Sequence, residues 1–246
     1  MLRVGARGSK LALAYAKSVC DALPCDTEIV IILTEGDIKH DVPISEIGGK
    51  GVFCSAIETA LLENKIDVAV HSLKDMPGEE TPGLIISAVL ERNSPHDVMI
   101  GKVFEGCTIG TSSPRRKAQI EQLYKDLNIN VKPIRGNVDS RLNKLDNGEY
   151  DAIIIAEAGL IALGIEREWT KISIVPAIGQ GIIAVQTRNN DAETNMIVKQ
   201  INHKLTYAHA QLERALLKGV GGDCYTKLAA FASGSDPIKL EAVYYD

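Results

Sequence analysis

Short apolar runs alternate with amphipathic stretches along the sequence, and this alternation limits the possible folds more than any other feature. Leu2–Ala6 predicts a strand, followed by a helix over 10–22 with Ser9 as its N-cap. Repeated strand–helix units indicate parallel sheet with helices on both faces. The other predicted elements are strands over 28–33, 68–71, 108–110, 131–134, 152–156 and 182–185, helices over 52–64, 115–127, 138–147, 191–201 and 206–217, and a two-stranded tail over 225–244.

Polar residues cluster where three of the predicted strands end. The clusters are His71–Asp75, Gly110–Arg116 and Arg135–Arg141. In sheets of this kind, ligands bind outside the carboxyl ends of the strands, so we expect the clusters to converge. The chain carries a net charge of −5 but has a local basic stretch over 115–144. This distribution disfavours a nucleic-acid partner and predicts a small anionic ligand, although charge alone also allows a set of solvated helix faces.

Ser113, Arg115 and Arg116 fall at a predicted helix N-terminus. Cations are unfavourable at the positive end of a helix dipole unless an anion offsets them, which favours anion binding over a solvated face. Taken by itself, the segment His71–Asp75 is better interpreted as a structural turn than as a functional cluster, and its residues are too close along the chain for a Ser-His-Asp triad. Gly48–Gly51 does not have the spacing of a phosphate-binding P-loop, and it is better read as a loop that presents Lys50.

The cysteines and the amino terminus bear on the compartment. The five cysteines form no CxxC pair and no metal-binding spacing with histidine, so we expect neither a disulfide framework nor a metal site. The first residues lack the apolar region of a signal peptide, and no apolar run is long enough for a membrane span. The sequence therefore predicts a cytoplasmic protein without membrane contact.

Several sequence blocks occur together in the order and spacing of a known family. Over nearly its whole length, the chain resembles the porphobilinogen deaminase (hydroxymethylbilane synthase) family. The blocks that carry the resemblance are Gly5–Leu13, Gly48–Phe53, His71–Pro77, Gly110–Arg116, Arg135–Arg141, Lys144–Ala152, Pro176–Gly181, Glu213–Ala215 and Gly221–Cys224.

The resemblance implies a transferase of tetrapyrrole (haem) biosynthesis. Such an enzyme joins four porphobilinogen molecules into hydroxymethylbilane and releases ammonia, using a covalently bound dipyrromethane as primer. By residue-by-residue matching, Cys224 would hold this cofactor through a thioether, and Asp75 would be the catalytic acid–base group. The matched cofactor-binding residues are Ser72, Lys74, Ser113, Arg115, Arg116 and Arg135, and the matched substrate-binding residues are Arg7, Lys50, Phe53, Arg141 and Gln180.

The resemblance also implies the architecture. We expect an α/β chain with two lobes like those of periplasmic binding proteins, built on mixed, mainly parallel sheet, and a small, short α+β third domain. Domain 1 would comprise 1–93 and 180–200, domain 2 would comprise 94–179, and domain 3 would comprise 201–246. The protein would act as a monomer.

Four positions depart from the family pattern. Ala162 stands where relatives often have arginine, Glu35 where a basic residue is common, Asp223 where a small residue is common, and Lys227 where proline is usual. Two rival functions stay open. One is a two-lobed solute-binding or effector-sensing protein without catalysis, which would need the arginines but neither Asp75 nor Cys224. The other is a relative that has lost its activity.

Overall fold

Two five-stranded sheets and one hairpin organise the computed structural model, which describes residues 1–34, 54–221 and 226–245. The first sheet has the order β2-β1-β3-β10-β4. Its strands and the helices around it are β1 (Leu2–Arg7), α1 (Lys10–Ala22), β2 (Thr27–Ile32), α2 (Ser55–Leu62), β3 (Val68–Ser72), β4 (Leu84–Val89) and β10 (Ile183–Arg188).

The second sheet has the order β7-β6-β8-β5-β9. Apolar side chains from its strands and helices form the core of this lobe, among them Ile109, Ile120, Ile153, Ile154 and Leu160. Its elements are β5 (Asp97–Gly101), β6 (Thr108–Gly110), α3 (Pro114–Leu123), β7 (Asn130–Lys132), α4 (Val138–Asp146), β8 (Ala152–Ala156), α5 (Glu157–Ala162) and β9 (Thr170–Lys171).

The two-lobed, mixed α/β architecture predicted from the sequence is confirmed, but parallel pairings do not predominate. Within the two five-stranded sheets described, four pairings are parallel and four are antiparallel. The reason is that β5 and β10 do not follow a neighbouring strand through a helix. Each enters its sheet from the other lobe and runs antiparallel to both of its neighbours.

Two segments carry the chain between the lobes, over 90–96 and 172–182. They lie against each other, since the Asn93 N–H donates to the Gly181 carbonyl at 2.9 Å. Gly181 has a φ of +80°, and a Cβ there would lie 2.5 Å from the Ser94 carbonyl oxygen. Only glycine fits a contact this close in this conformation. This explains why the block Pro176–Gly181 ends in glycine.

The chain ends with helices and a hairpin beside the first lobe. The elements are α6 (Ala192–Val198), a 3₁₀ turn (Lys199–Ile201), α7 (Lys204–Gly219), β11 (Leu228–Ser233) and β12 (Lys239–Tyr244). Glu213 on α7 is fully buried and ties three parts of the chain together. Its carboxylate accepts from Arg92 at 2.8 Å, from the Gly179 N–H at 2.7 Å and from the Ala232 N–H at 2.8 Å.

Most predicted elements exist within a few residues of their expected limits, but β4, β5 and the two-residue strand β9 were not predicted. The helix expected over 115–127 ends at Leu123, and the strand expected over 131–134 occupies Asn130–Lys132. In the described part of the chain, no helix has the length and apolar character needed to cross a membrane.

Candidate active site

A cavity of about 810 Å³ lies between the two lobes, at the carboxyl ends of β1, β3, β6, β7 and β8. All three polar clusters singled out in the sequence line this cavity. The candidate site residues that line it are Arg7, Ser72, Lys74, Asp75, Ser113, Arg115, Arg116, Arg135, Arg141 and Gln180. Sequence reasoning thus selected residues from five separate places in the chain that the fold brings to one space.

Three candidate site residues lie outside the described residues. These are Lys50, Phe53 and Cys224. The departures Glu35 and Asp223 lie outside them as well. Their roles therefore stay as the resemblance implies them.

Asp75 sits at the end of a 3₁₀ turn, Leu73–Asp75, that directly follows β3. Leu73 is fully buried and its N–H donates to the Ile182 carbonyl at 3.0 Å, which fixes the start of the turn. The Cys54 thiol donates to the Asp75 backbone carbonyl at 3.5 Å. The backbone of the turn is therefore held at both ends, while the Asp75 residue itself is exposed at the cavity wall.

Lys74 lies beside Asp75 and is half-buried. Burial and the nearby positive charge of Arg116 lower the pKa of Lys74 to about 8, although Asp75 and Asp97 act in the opposite direction. Within the part of the chain that the structure describes, no carboxylate lies within ion-pair distance of the Lys74 ammonium. An anionic ligand in the cavity would supply that partner.

Arg115 and Arg116 begin α3, where Ser113 is the N-cap and Pro114 occupies the first turn. They are 4% and 7% exposed, so neither lies on a solvated helix face. Both guanidiniums contact Asp97, with Arg115 Nη2 2.7 Å from Oδ2 and Arg116 Nη2 2.7 Å from Oδ1. The anion that offsets these cations at the helix N-terminus is therefore, in part, a protein carboxylate.

Asp97 is fully buried at the start of β5. Burial alone would raise its pKa, but the charges of Arg116 and Arg115 outweigh this and hold the pKa at about 2. Gln180 Nε2 also donates to Asp97 Oδ1 at 3.0 Å and to the Pro95 carbonyl at 2.7 Å. Gln180 thus joins the two connecting segments behind the cavity instead of projecting as an isolated ligand-binding side chain.

Arg135 and Arg141 belong to the junction between β7 and α4. Asn137 caps α4, since its Oδ1 accepts from the Ser140 N–H at 3.1 Å. Arg141 Nε donates to the Gly136 carbonyl at 2.8 Å, which turns the guanidinium back over the helix N-terminus. Burial lowers the pKa of Arg141, and the charges of Arg116 and Arg135 lower it further. Arg141 therefore stands in a setting that disfavours its own charge, chiefly because it is buried and partly because of the neighbouring cations.

Sequence reasoning missed three residues that belong to this site. Asp97 neutralises part of the basic cluster, Arg214 on α7 is buried at the cavity wall, and Tyr15 on α1 lines the cavity from the first lobe. Arg214 stands inside the matched block Glu213–Ala215, which was a usable signal. Asp97 had none, because the strand that carries it was not recognised.

Two of the four positions that depart from the family pattern lie among the residues that the structure describes. Ala162 ends α5 and packs against the apolar cluster around Tyr15, so it makes an apolar contact at that position. Lys227 lies just before β11 and is exposed.

Comparisons with known proteins agree with this geometry. Residues 2–196 match the model of the porphobilinogen deaminase dipyromethane cofactor binding domain. A probable porphobilinogen deaminase from Archaeoglobus fulgidus is 43% identical over 97% of this chain and 86% of that protein. The chain belongs to the porphobilinogen deaminase family. A porphobilinogen deaminase from Ehrlichia canis is also 43% identical, over 98% of this chain and 87% of its own length.

Structural comparison finds weaker similarities. A Streptococcus pneumoniae structure described as the second substrate binding domain of a putative amino acid ABC transporter is 14% identical, with a TM-score of 0.48, over 90% of this chain and 95% of that chain.

Membership of the family makes this chain a hydroxymethylbilane synthase of tetrapyrrole synthesis with a dipyrromethane cofactor. The residues present fit that group, because its pyrroles carry several carboxylates and the charged side chains that line the cavity are mostly cations. The cationic lining residues are Arg7, Lys74, Arg115, Arg116, Arg135, Arg141, Lys144 and Arg214, against Asp75 and the buried Asp97.

Proposed function

We propose that this chain polymerises four porphobilinogen molecules into hydroxymethylbilane, with Asp75 as the catalytic acid–base group of the described cavity. One observation carries the proposal. Among the described residues that line the cavity, Asp75 is the one carboxylate, and the other charged groups there are guanidinium and ammonium groups from both lobes. A site of this composition holds a polyanionic ligand by its carboxylates and leaves one group available for proton transfer.

The proposed role of Asp75 follows the balance of protons in the reaction. Its carboxyl group gives a proton to the amine nitrogen of bound porphobilinogen, the carbon–nitrogen bond breaks, and ammonia leaves. The resulting carboxylate then stabilises the positive charge on the substrate pyrrole. After the new carbon–carbon bond has formed, the carboxylate takes up the proton lost from the pyrrole carbon, which restores the starting state.

The arginines would bind and orient the substrate and the cofactor. Arg115 and Arg116 present guanidiniums that Asp97 holds in fixed positions, while Lys74, Arg135 and Arg141 complete the wall. Arginine forks match carboxylates in a bidentate manner, so positions fixed in advance favour one register of the pyrrole chain. When bound, the dipyrromethane supplies the primer to which substrate pyrroles are added.

Cys224 would be the covalent anchor of that primer. The proposal rests on the block Gly221–Cys224, and it is supported by the position of Thr226. This residue stands two places after Cys224 in the sequence and lines the cavity. Lys50, Phe53 and Gln180 would contribute to substrate binding, as the family resemblance implies.

We also propose the domain boundaries, the compartment and the oligomeric state that the sequence predicts. Domain 1 would comprise 1–93 and 180–200, domain 2 would comprise 94–179, and domain 3 would comprise 201–246. The first two divisions agree with the strands that make up the two five-stranded sheets. The protein would work as a cytoplasmic monomer, and its net charge of −5 argues against a nucleic-acid partner.

The decisive experiment follows porphobilinogen and ammonia together with the mass of the protein. Purified protein incubated with porphobilinogen should release one ammonia for each porphobilinogen consumed. Peptide mass analysis should find a two-pyrrole addition on the peptide that contains Cys224, and Cys224→Ala should lack it. Cys25→Ala is the matched control, because Cys25 is a half-buried free thiol that does not line the cavity, and this variant should keep both properties.

Two outcomes would contradict the proposal. If Cys224 stays unmodified in every preparation, including protein incubated with porphobilinogen, the cofactor assignment fails. If porphobilinogen binds but no ammonia is released, the chain is a two-lobed binding protein or an inactive relative.

A further inference from the structure

Cys54 is a buried thiol that neither the matched sequence blocks nor the proposed mechanism uses. It stands one residue after the block Gly48–Phe53 and directly before α2, and it is fully buried. Buried cysteines usually act as small apolar side chains. The simplest view is therefore that Cys54 only fills space in the first lobe.

The position of Cys54 at the start of α2 is one where side chains usually cap the helix. Serine, threonine, aspartate and asparagine are preferred there, because their oxygens accept hydrogen bonds from backbone N–H groups of the first turn. Cys54 makes no such capping bond. Its thiol instead donates to the Asp75 carbonyl oxygen, with Sγ and O 3.5 Å apart. The side chain therefore serves the 3₁₀ turn Leu73–Asp75 and not its own helix.

Apolar packing joins Cys54 to the same turn. Cys54, Leu73 and Met76 belong to one buried cluster, and Leu73 and Met76 lie on either side of Lys74 and Asp75 in the sequence. The Met76 N–H donates to the Leu73 carbonyl at 3.1 Å, which closes the turn. The cluster and the thiol hydrogen bond together tie Cys54 to both ends of the turn and to the backbone of Asp75 itself.

A second, smaller cavity beside the turn gives this hydrogen bond its importance. The volume of this cavity is about 60 Å³, and Cys54, Ser72 and Asp75 are among the residues that line it. Ser72 and Asp75 also line the larger cavity, so the turn borders a cavity on two sides. Protein side chains do not pack against those parts of the turn. The hydrogen bond from Cys54 therefore restrains the Asp75 backbone where packing does not.

We propose that Cys54 is a positioning residue for Asp75, acting through its hydrogen bond to the Asp75 backbone carbonyl. This inference rests on the proposed role of Asp75 as the acid–base group. Cys54 does not line the larger cavity, so its thiol would affect turnover through the turn and not by contact with substrate. A thiol that only fills space would affect stability and leave turnover unchanged.

Cys54→Ala and Cys54→Ser together test this, because both remove the sulfur and they differ from each other only in a hydroxyl donor. Cys54→Ala should lower turnover (kcat) about 2- to 5-fold, since a thiol is a weak donor and one net hydrogen bond contributes little. KM should change less than about twofold, because substrate binding is not altered. Cys54→Ser keeps a donor on the same Cβ, so its kcat should be close to that of the unsubstituted protein. Equal kcat for the two variants would overturn the inference.

Cys107→Ala and Cys107→Ser form the matched control. Cys107 is also fully buried, but it belongs to the core of the second lobe and lines neither of the two cavities. Both control variants should keep the kcat of the unsubstituted protein, whatever they do to its stability. A loss of kcat in Cys107→Ala as large as that in Cys54→Ala would overturn the inference. If the smaller side chains at position 54 prevent folding, Cys54→Val and Cys54→Thr repeat the comparison with the same criteria, since valine and threonine also differ in one hydroxyl.

Amide hydrogen exchange separates this inference from the proposed function. If the unsubstituted protein turns over no porphobilinogen, the proposed function fails. The inference is then judged on the exchange rate of the Met76 N–H, whose hydrogen bond closes the turn. Faster exchange in Cys54→Ala than in Cys54→Ser supports a turn that is held by the donor at position 54. Equal exchange rates overturn the inference independently of activity.

Discussion

Replacing Asp97 by asparagine should destabilise the protein strongly, although the two side chains have nearly the same shape. Asp97 is fully buried, and its oxygens lie 2.7 Å from Arg115 Nη2, 2.7 Å from Arg116 Nη2 and 3.0 Å from Gln180 Nε2. Asparagine keeps one acceptor oxygen but removes the negative charge. The variant Asp97→Asn therefore leaves two buried guanidiniums without their counter-charge.

The expected loss follows from two magnitudes. Removing one partner of a buried ion pair costs about 3–5 kcal/mol, because the other charge stays buried and uncompensated. The pKa of Asp97 gives a second estimate, since it falls from 3.8 for the free side chain to about 2 in the folded protein. At about 1.4 kcal/mol per pKa unit, folding favours the charged form of Asp97 by about 2 kcal/mol. We expect Asp97→Asn to lower the free energy of unfolding at pH 7 by about 2–5 kcal/mol.

Urea unfolding followed by circular dichroism measures this difference. The matched control is Asp146→Asn, which removes a surface carboxylate that pairs with Arg167 and should lower the urea midpoint far less, because exposed ion pairs contribute little to stability. The urea midpoint of Asp97→Asn should fall while the slope m stays the same, because the variant buries the same surface.

The effect of pH has a defined sign. The folded-state pKa of Asp97 is lowered, so its contribution to stability is complete above the unfolded pKa of 3.8 and is lost as pH falls towards about 2. The gap between the parent protein and Asp97→Asn should be constant from pH 7 to about 5 and should narrow below about 4. A gap no larger than that of Asp146→Asn, or one that does not narrow in acid, would refute the reasoning.

Two further predictions concern the cavity wall. Asp75→Asn should lower turnover in steady-state assays by at least about 10²–10⁴-fold, as expected for a lost acid–base group. The free energy of unfolding should be nearly unchanged, because Asp75 is exposed. Near-normal turnover would contradict the assignment of Asp75 as the acid–base group. Arg141→Leu should weaken the apparent affinity for porphobilinogen, or slow elongation, by about 10- to 100-fold, since a hydrogen bond to a charged group contributes about 1.5–3 kcal/mol. The control is Arg167→Leu, which removes a surface arginine. Equal kinetics for the two variants would indicate that Arg141 lies on a solvated helix face and does not bind substrate.

The convergence of the site could be predicted from the sequence because it depends on a general property of such sheets. Parallel strands joined by helices place their carboxyl ends at one edge of their sheet, so the residues after β6 and β7 meet at the edge of the second sheet, and they line the same cavity as the residues after β3 of the first sheet. The polar residues following each strand were visible in the sequence. The N-cap Ser9 was also predicted, since a capping side chain acts within a few residues of its own position.

Asp97 and the antiparallel strands could not be predicted in the same way. β5 and β10 pair with strands that are distant in sequence, and no local periodicity specifies the direction in which a connecting segment enters a sheet. The Asp97–Arg116 ion pair likewise joins a strand start to a helix start in a geometry that exists only after folding. Local patterns specify elements, whereas these contacts depend on topology.

The buried carboxylate of Asp97 also explains how the cavity can be cationic without being unstable. The guanidiniums of Arg115 and Arg116 would repel each other strongly in a site without water, and the Asp97 carboxylate between them stabilises the arrangement. Asp97 supplies only one negative charge against two positive ones, so positive potential remains. Lys74 responds to it, because Arg116 contributes to lowering its pKa to about 8. Carboxylates of a bound pyrrole chain would relieve this repulsion between the cations. Because folding has already fixed the cations in place, this relief contributes to the binding energy of the carboxylates.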